Sequence, residues 1–183
     1  MSKIFYKLIL LDRDGVINQK APEHDYIRSP EMLRLTEGAD KAIARLHKAG
    51  LKIAVVTNQR GVSRDLMSLE DVSKVNTAIQ KLVSKAGGKI DAFYVCPHGY
   101  DDNCNCRKPA PGLLLKAMDR FHVKKERCIM IGDSNSDVEA AANAGVDCIY
   151  LGEKELAYDY EYVIKALNLS EAVDIILQQA TLP

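Results

Sequence analysis

Five short apolar runs constrain this chain more than any other feature: Leu8–Leu11, Ile53–Val56, Ala92–Val95, Cys128–Ile131 and Cys148–Leu151. Each is too short for a helix, and each is bounded by polar residues or glycine. Runs that are apolar at every position suit strands covered on both faces, as in a parallel sheet. Between them lie amphipathic stretches. Ala39, Ile43, Leu46 and Ala49 recur at helical spacing before Gly50, a C-terminal stop. Ser68 has the character of an N-cap, with a stripe of Val72, Val75, Ile79, Leu82 and Val83 after it. Pro111 is expected in the first turn of a helix over Leu113–Phe121. Further helices are expected over Ser136–Ala144, ending at Gly145, and from about Ser170 to Gln179. Strand–helix alternation of this kind predicts a doubly wound, Rossmann-like α/β fold with a parallel sheet. At 183 residues one domain spanning 1–183 is expected, without repeat, linker or cap-sized insertion.

Folds of this class bind ligands outside the C-terminal ends of their strands, so the residues at the end of each run matter most for function. The first runs into Asp12-Arg13-Asp14-Gly15, the second into Thr57-Asn58-Gln59, and the fourth into Gly132-Asp133-Ser134. Residues two apart on an extended segment point to one side, so Asp12 and Asp14 can face one pocket. Two carboxylates together repel unless a cation compensates. With Asp133 they form the hard oxygen set that Mg2+ accepts. A carboxylate can accept a phosphoryl group covalently, while a second one moves the proton of the leaving oxygen and of the attacking water. Thr57 and Asn58 offer donors for phosphoryl oxygens, and Lys108 offers a positive charge. Asp137, four residues past Asp133, reads equally well as a partner within the site or as a first-turn helix acid.

The segment from Cys96 to Lys108 carries a second constellation. Cys96, His98, Cys104 and Cys106 supply the ligand count of a closed, structural Zn2+ site. Arg107 and Lys108 come directly after the last ligand, so a zinc loop over 96–108 would aim both cations. Cys128 and Cys148 sit in apolar runs as core residues.

Lysine plus arginine equals aspartate plus glutamate at 25 each, which leaves no overall field for nucleic acid or an anionic membrane surface. No apolar run reaches the roughly 20 residues that span a bilayer. The first residues, Met1 to Lys7, make a poor signal peptide, so a cytosolic protein is expected.

Asp12-x-Asp14-Gly15, Thr57-Asn58-Gln59, Lys108 and Gly132-Asp133 together resemble the haloacid dehalogenase superfamily of phosphatases. Cys-Pro-His…Cys-x-Cys-Arg-Lys-Pro is similar to one group within it, the group of heptose-bisphosphate and histidinol-phosphate phosphatases, over Leu8 to about Leu177. That resemblance implies Asp12 as nucleophile and Asp14 as general acid/base, with Thr57 and Lys108 assisting. It implies Mg2+ on Asp12, the Asp14 carbonyl and Asp133, and Zn2+ on Cys96, His98, Cys104 and Cys106. Asp12 to Asn18, His24-Asp25-Tyr26 and Thr57-Asn58-Gln59-x-Gly61-Val62-x-Arg64 lean toward the heptose branch. There Glu23, His24, Asp25, Tyr26, Asn58, Gln59, Arg60, Arg64 and Arg107 would face a phosphorylated sugar and its second phosphate. The implied setting is a capless monomer supplying nucleotide-activated heptose for lipopolysaccharide or other surface glycans. The alternative is histidinol-phosphate hydrolysis in histidine synthesis. Ser134, Arg60 and Asp65 depart from the heptose pattern, at the expected pocket mouth.

Overall fold

The computed structural model describes residues 6–152, 156 and 163–181, side chains excepted at 179–181. The expectation about the first residues as a leader therefore lies outside the described part, as do both ends of the expected domain. Six strands, β1 (Leu8–Leu11), β2 (Lys52–Asn58), β3 (Ala92–Cys96), β4 (Cys128–Gly132), β5 (Asp147–Leu151) and β6 (Val163–Ala166), form one parallel sheet. Their spatial order is β3-β2-β1-β4-β5-β6. The order reverses between β1 and β4, and open α/β sheets bind their ligands in the crevice outside that switch point.

β1 shows why the apolar runs are continuous. Ile9 and Leu11 join a core with α1 (Ala39–Lys48), α2 (Leu69–Lys85) and α5 (Leu169–Thr181). Leu8 and Leu10 face the other way, into a core with α3 (Gly112–Phe121) and α4 (Asn135–Ala144). All four β1 side chains are fully buried, each worth about 1.5–3 kcal/mol relative to exposure. With a helix layer on each side, both faces of β1 are apolar.

The helices obey their sequence signals with small shifts. α2 begins at the expected cap: the Ser68 hydroxyl accepts from the Asp71 N–H, and Asp71 accepts from the Ser68 N–H. Pro111 takes the N-cap position of α3, one residue before the expected first turn. Gly112 becomes the first helical residue, and a Cβ there would collide with the Asn105 carbonyl oxygen. α4 starts at Asn135, one residue early, and α5 spans Leu169–Thr181. β6 has no counterpart among the strands expected from the sequence.

Candidate active site

Asp12 leaves the end of β1 with its N–H donated to the Ile131 carbonyl of β4, which fixes it over the switch point. Lys108 reaches the same place from the loop before α3. Its ammonium lies 2.8 Å from Asp12 Oδ1 and 2.5 Å from Asp137 Oδ1, and the side chain is nearly fully buried. Asn58, at the end of β2, pins the lysine's main chain. Its side chain donates to the Lys108 carbonyl and accepts from the Lys108 N–H, both at 3.0 Å.

Asp137 turns out to fill both roles the sequence left open. Its Oδ2 accepts from the Asp133 and Ser134 N–H groups and from the Ser134 hydroxyl, capping α4. Its Oδ1 holds Lys108. Gly132 makes room for it, since a Cβ there would collide with Asp137 Cβ. Burial pushes the Asp12 carboxyl up to about 7, helped by the charge of Asp137 and opposed by Lys108. Burial alone would lower the Lys108 pKa, but Asp12 and Asp137 more than reverse that, so it stays charged. An opposite charge favours ionisation where desolvation opposes it.

Asp14 faces a different set of partners. Its carboxylate accepts from Gln59 Nε2 at 2.7 Å, Asn18 Nδ2 at 2.9 Å and Arg13 Nη2 at 3.0 Å. Gln59 is buried, and its amide also donates to Thr57 Oγ1 at 2.9 Å. Thr57 thereby keeps its own hydroxyl proton available for another acceptor. Arg13 is fully buried and also donates to Asn76 of α2.

Three carboxylates, Asp12, Asp133 and Asp137, bring oxygens within 4.8 Å of one another. Asp137 is already committed to Lys108 and the α4 cap. Asp133 is not: its Oδ1 is buried without a hydrogen-bond partner. Its Oδ2 takes the Lys20 ammonium at 2.6 Å. A buried, orphaned carboxylate oxygen beside Asp12, with a cation already drawn to its neighbour, fits a hard divalent ion. Burial raises the Asp133 pKa and Lys20 opposes the rise. Gly15, at φ +95°, is required here because a Cβ would overlap Asp133 Oδ2. A cavity of about 540 Å³ opens beside this point, lined in part by Gly15, Val16, Asp133 and Ser170.

The cysteine loop closes on itself. His98 Nδ1 lies 3.6 Å from Cys96 Sγ and 3.2 Å from Cys106 Sγ, while Cys104 Sγ lies 3.8 and 3.5 Å from those two sulfurs. Tetrahedral zinc with bonds of about 2.3 Å to sulfur separates its sulfurs by about 3.8 Å, so the spacing of the four side chains fits such an ion. Arg107 donates to the His98 carbonyl at 3.2 Å, tying the loop to the residue before Lys108.

The expected sugar-facing residues divide into four groups. Gln59 and Asn58 bond inward, to Asp14 and to Lys108. Arg60 and Arg107 stack on the ring of Tyr100, at 4.1 and 4.4 Å from its centroid. Tyr26 lies against Gly61, with its hydroxyl 3.5 Å from Arg64 Nη1. Glu23 and His24 are largely exposed and near one another, at 3.6 Å, and Asp25 accepts from the Tyr26 N–H. These last three pair within their own loop, Asp25 also with Arg28 at 3.2 Å.

Sequence reasoning misses Arg13, Asn18, Lys20 and Tyr100. Arg13 carries a usable signal, a charged residue between two acids directly after a buried strand.

Residues 10–145 match the model of the haloacid dehalogenase-like hydrolases. The chain is 40% identical over 139 residues to a Neisseria meningitidis D-glycero-beta-D-manno-heptose-1,7-bisphosphate 7-phosphatase, covering 76% of this chain and 73% of the relative. It is 42% identical over 137 residues to a Mycobacterium tuberculosis enzyme named for the alpha anomer, covering 74% and 71%. A solved D,D-heptose 1,7-bisphosphate phosphatase from B. bronchiseptica, complexed with magnesium and phosphate, superimposes with a TM-score of 0.87 at 32% identity. That match covers 94% of this chain and 99% of the other.

Proposed function

The chain belongs to the haloacid dehalogenase-like hydrolases, and on that premise we propose that it is a magnesium-dependent phosphatase of D-glycero-D-manno-heptose 1,7-bisphosphate, releasing the 7-phosphate through Asp12. The observation that carries this reading is the grouping of Asp12, Lys108 and the orphaned oxygen of Asp133 at the switch point of the sheet.

A carboxylate oxygen of Asp12 attacks phosphorus, and the bond from phosphorus to the sugar's C7 oxygen breaks. Asp14, which enters this step protonated, gives its proton to that leaving oxygen, and Gln59, Asn18 and Arg13 position its side chain. Water then attacks the phosphorus of the aspartyl phosphate, Asp14 takes the water's proton, and Asp12 is freed with inorganic phosphate. Lys108 and the Thr57 hydroxyl stabilise the phosphoryl oxygens. Asp12, Asp133 and the Asp14 carbonyl would hold magnesium, which would neutralise the phosphate's negative charge. Cys96, His98, Cys104 and Cys106 would hold a structural zinc.

Arg60, Arg64 and Arg107 take the second phosphate, and Glu23 to Tyr26 border the sugar. Arginine suits this task through bidentate contact with phosphate, and its charge works against the cationic amine of histidinol phosphate. The same reading makes the protein a cytosolic monomer whose product feeds nucleotide-activated heptose synthesis. No helix among the described residues is long and apolar enough to cross a membrane.

The test is phosphate release with magnesium from both anomers of heptose 1,7-bisphosphate and from histidinol phosphate at matched concentrations. The expected result is a kcat/KM at least ~100-fold higher for a bisphosphate anomer, a floor below the ~10⁴–10⁵ that a site hydrogen-bonded to its substrate reaches. Equal or faster release from histidinol phosphate would overturn the substrate assignment.

A further inference from the structure

Tyr100 lies in the zinc loop between His98 and Cys104 and is 67% exposed, the largest exposed aromatic fraction among the described residues. Two guanidinium groups nevertheless converge on its ring: Arg60 at 4.1 Å from the centroid and Arg107 at 4.4 Å. Arg60 comes from the turn after β2, two residues beyond Asn58. Arg107 comes from the end of the zinc loop, one residue before Lys108. Asn58 and Lys108 are joined by their paired hydrogen bonds, so both arginines issue from one fixed junction beside Asp12.

Each stacking contact contributes about 0.5–1 kcal/mol at an exposed site. Bringing two like charges to one ring costs an amount of the same order in water, so the arrangement gains little as a structural device. Neither arginine is paired with a carboxylate among the described residues, and Arg60 Nε is buried without a hydrogen-bond partner. Arg107 has one bond, to the His98 carbonyl. The guanidinium donors left over are a matched pair for an anion that the protein itself does not provide.

We propose that Tyr100 is the positioning residue of a two-arginine clamp, in which its ring holds Arg60 and Arg107 for the phosphate of the substrate that does not react. The clamp rests on the bisphosphate reading of the function. A planar ring fixes the guanidinium groups without consuming their N–H donors, which a carboxylate partner would do. Zinc enters only through the loop: His98 and Cys104 bracket Tyr100 and set where the ring stands.

The experiment measures kcat and KM for heptose 1,7-bisphosphate and for heptose 7-phosphate, with the wild-type holoenzyme and with Tyr100→Leu, Tyr100→Phe and Arg60→Ala. Tyr100→Leu keeps apolar bulk but removes the π face; Tyr100→Phe keeps the face. The wild type is expected to favour the bisphosphate. Tyr100→Leu and Arg60→Ala are expected to cut that preference about tenfold, through KM, the equivalent of one lost contact of about 1.4 kcal/mol. Tyr100→Phe is expected to retain it. A wild type with no preference would overturn the bisphosphate reading and the clamp together. A wild-type preference that survives in Tyr100→Leu, or falls equally for both substrates, would overturn the clamp and leave the bisphosphate reading standing.

Discussion

Lys108 and Lys20 both bring an ammonium to the acidic cluster, under different conditions of burial. Lys108 is almost wholly buried between Asp12 and Asp137, so its charge is a fixed part of the site. Lys20 is half exposed and reaches one oxygen of Asp133. Burial works against its charge, yet its bond to Asp133 and the charges of Asp133, Asp12 and Asp137 leave its pKa above the ordinary lysine value. On the proposed reading Asp133 holds magnesium, and a half-exposed cation on it would compete with that ion. Lys20→Met is therefore expected to tighten magnesium binding by about tenfold, the order of one removed charge contact at the surface, measured by titration calorimetry. Unchanged or weaker binding would show that Lys20 orients Asp133 and does not compete for it. Residues of this kind are invisible in the sequence for a physical reason. Asp12, Asp133 and Lys108 are legible because strand ends or a motif fix where they emerge. Lys20 lies in an irregular loop, and its target depends on a backbone path that no periodicity reveals. Arg13 is readable from its place between two acids after a buried strand, but its second partner, Asn76, meets it only in the fold.

At the scale of elements, the loop holding Cys96, His98, Cys104 and Cys106 combines the proposed zinc site with packing of its three cysteines on the core. Its sulfurs and imidazole lie 3.2–3.8 Å apart, and between Pro97 and Pro111 the chain has no strand or helix of its own. It nonetheless delivers Tyr100, Arg107 and Lys108. About one zinc per chain is expected by elemental analysis. Cys104→Ser is expected to lose that metal, lower the melting temperature and cut turnover at least ~10-fold, since displaced positioning groups cost about 100-fold per ångström. A variant free of zinc yet fully active would show that the loop orders itself. The elements also mark how far the sequence can be read. Five strands announce themselves because both faces of each are covered or nearly so. β6 does not, because Val163 and Ile164 are only partly buried and Lys165 is exposed. With a lysine in its third place, the four-residue run gives no continuous apolar stretch to mark it as a strand. The spatial order of the strands is likewise absent from any one run, since pairing depends on crossovers between distant segments.

For the whole molecule, the sheet order explains why so few residues suffice. β1 and β4 are neighbours at the point where the order reverses, and the helices that come after them in the chain cover opposite faces. The crevice between them receives Asp12 from β1 and Asp133 from β4, and Asn58 at the end of adjacent β2 fixes Lys108. On the proposed reading, the arginines of the loops beside this crevice select the substrate. The central claim is that the phosphoryl group passes through Asp12. It is tested most directly by mixing the magnesium-loaded protein with bisphosphate labelled with radioactive phosphorus at position 7, quenching in acid during the first turnover, and mapping the label. The expected result is label on the peptide containing Asp12 in the wild type and none in Asp12→Asn, with turnover abolished and the fold kept. Turnover by Asp12→Asn, or label carried on a different residue, would contradict it.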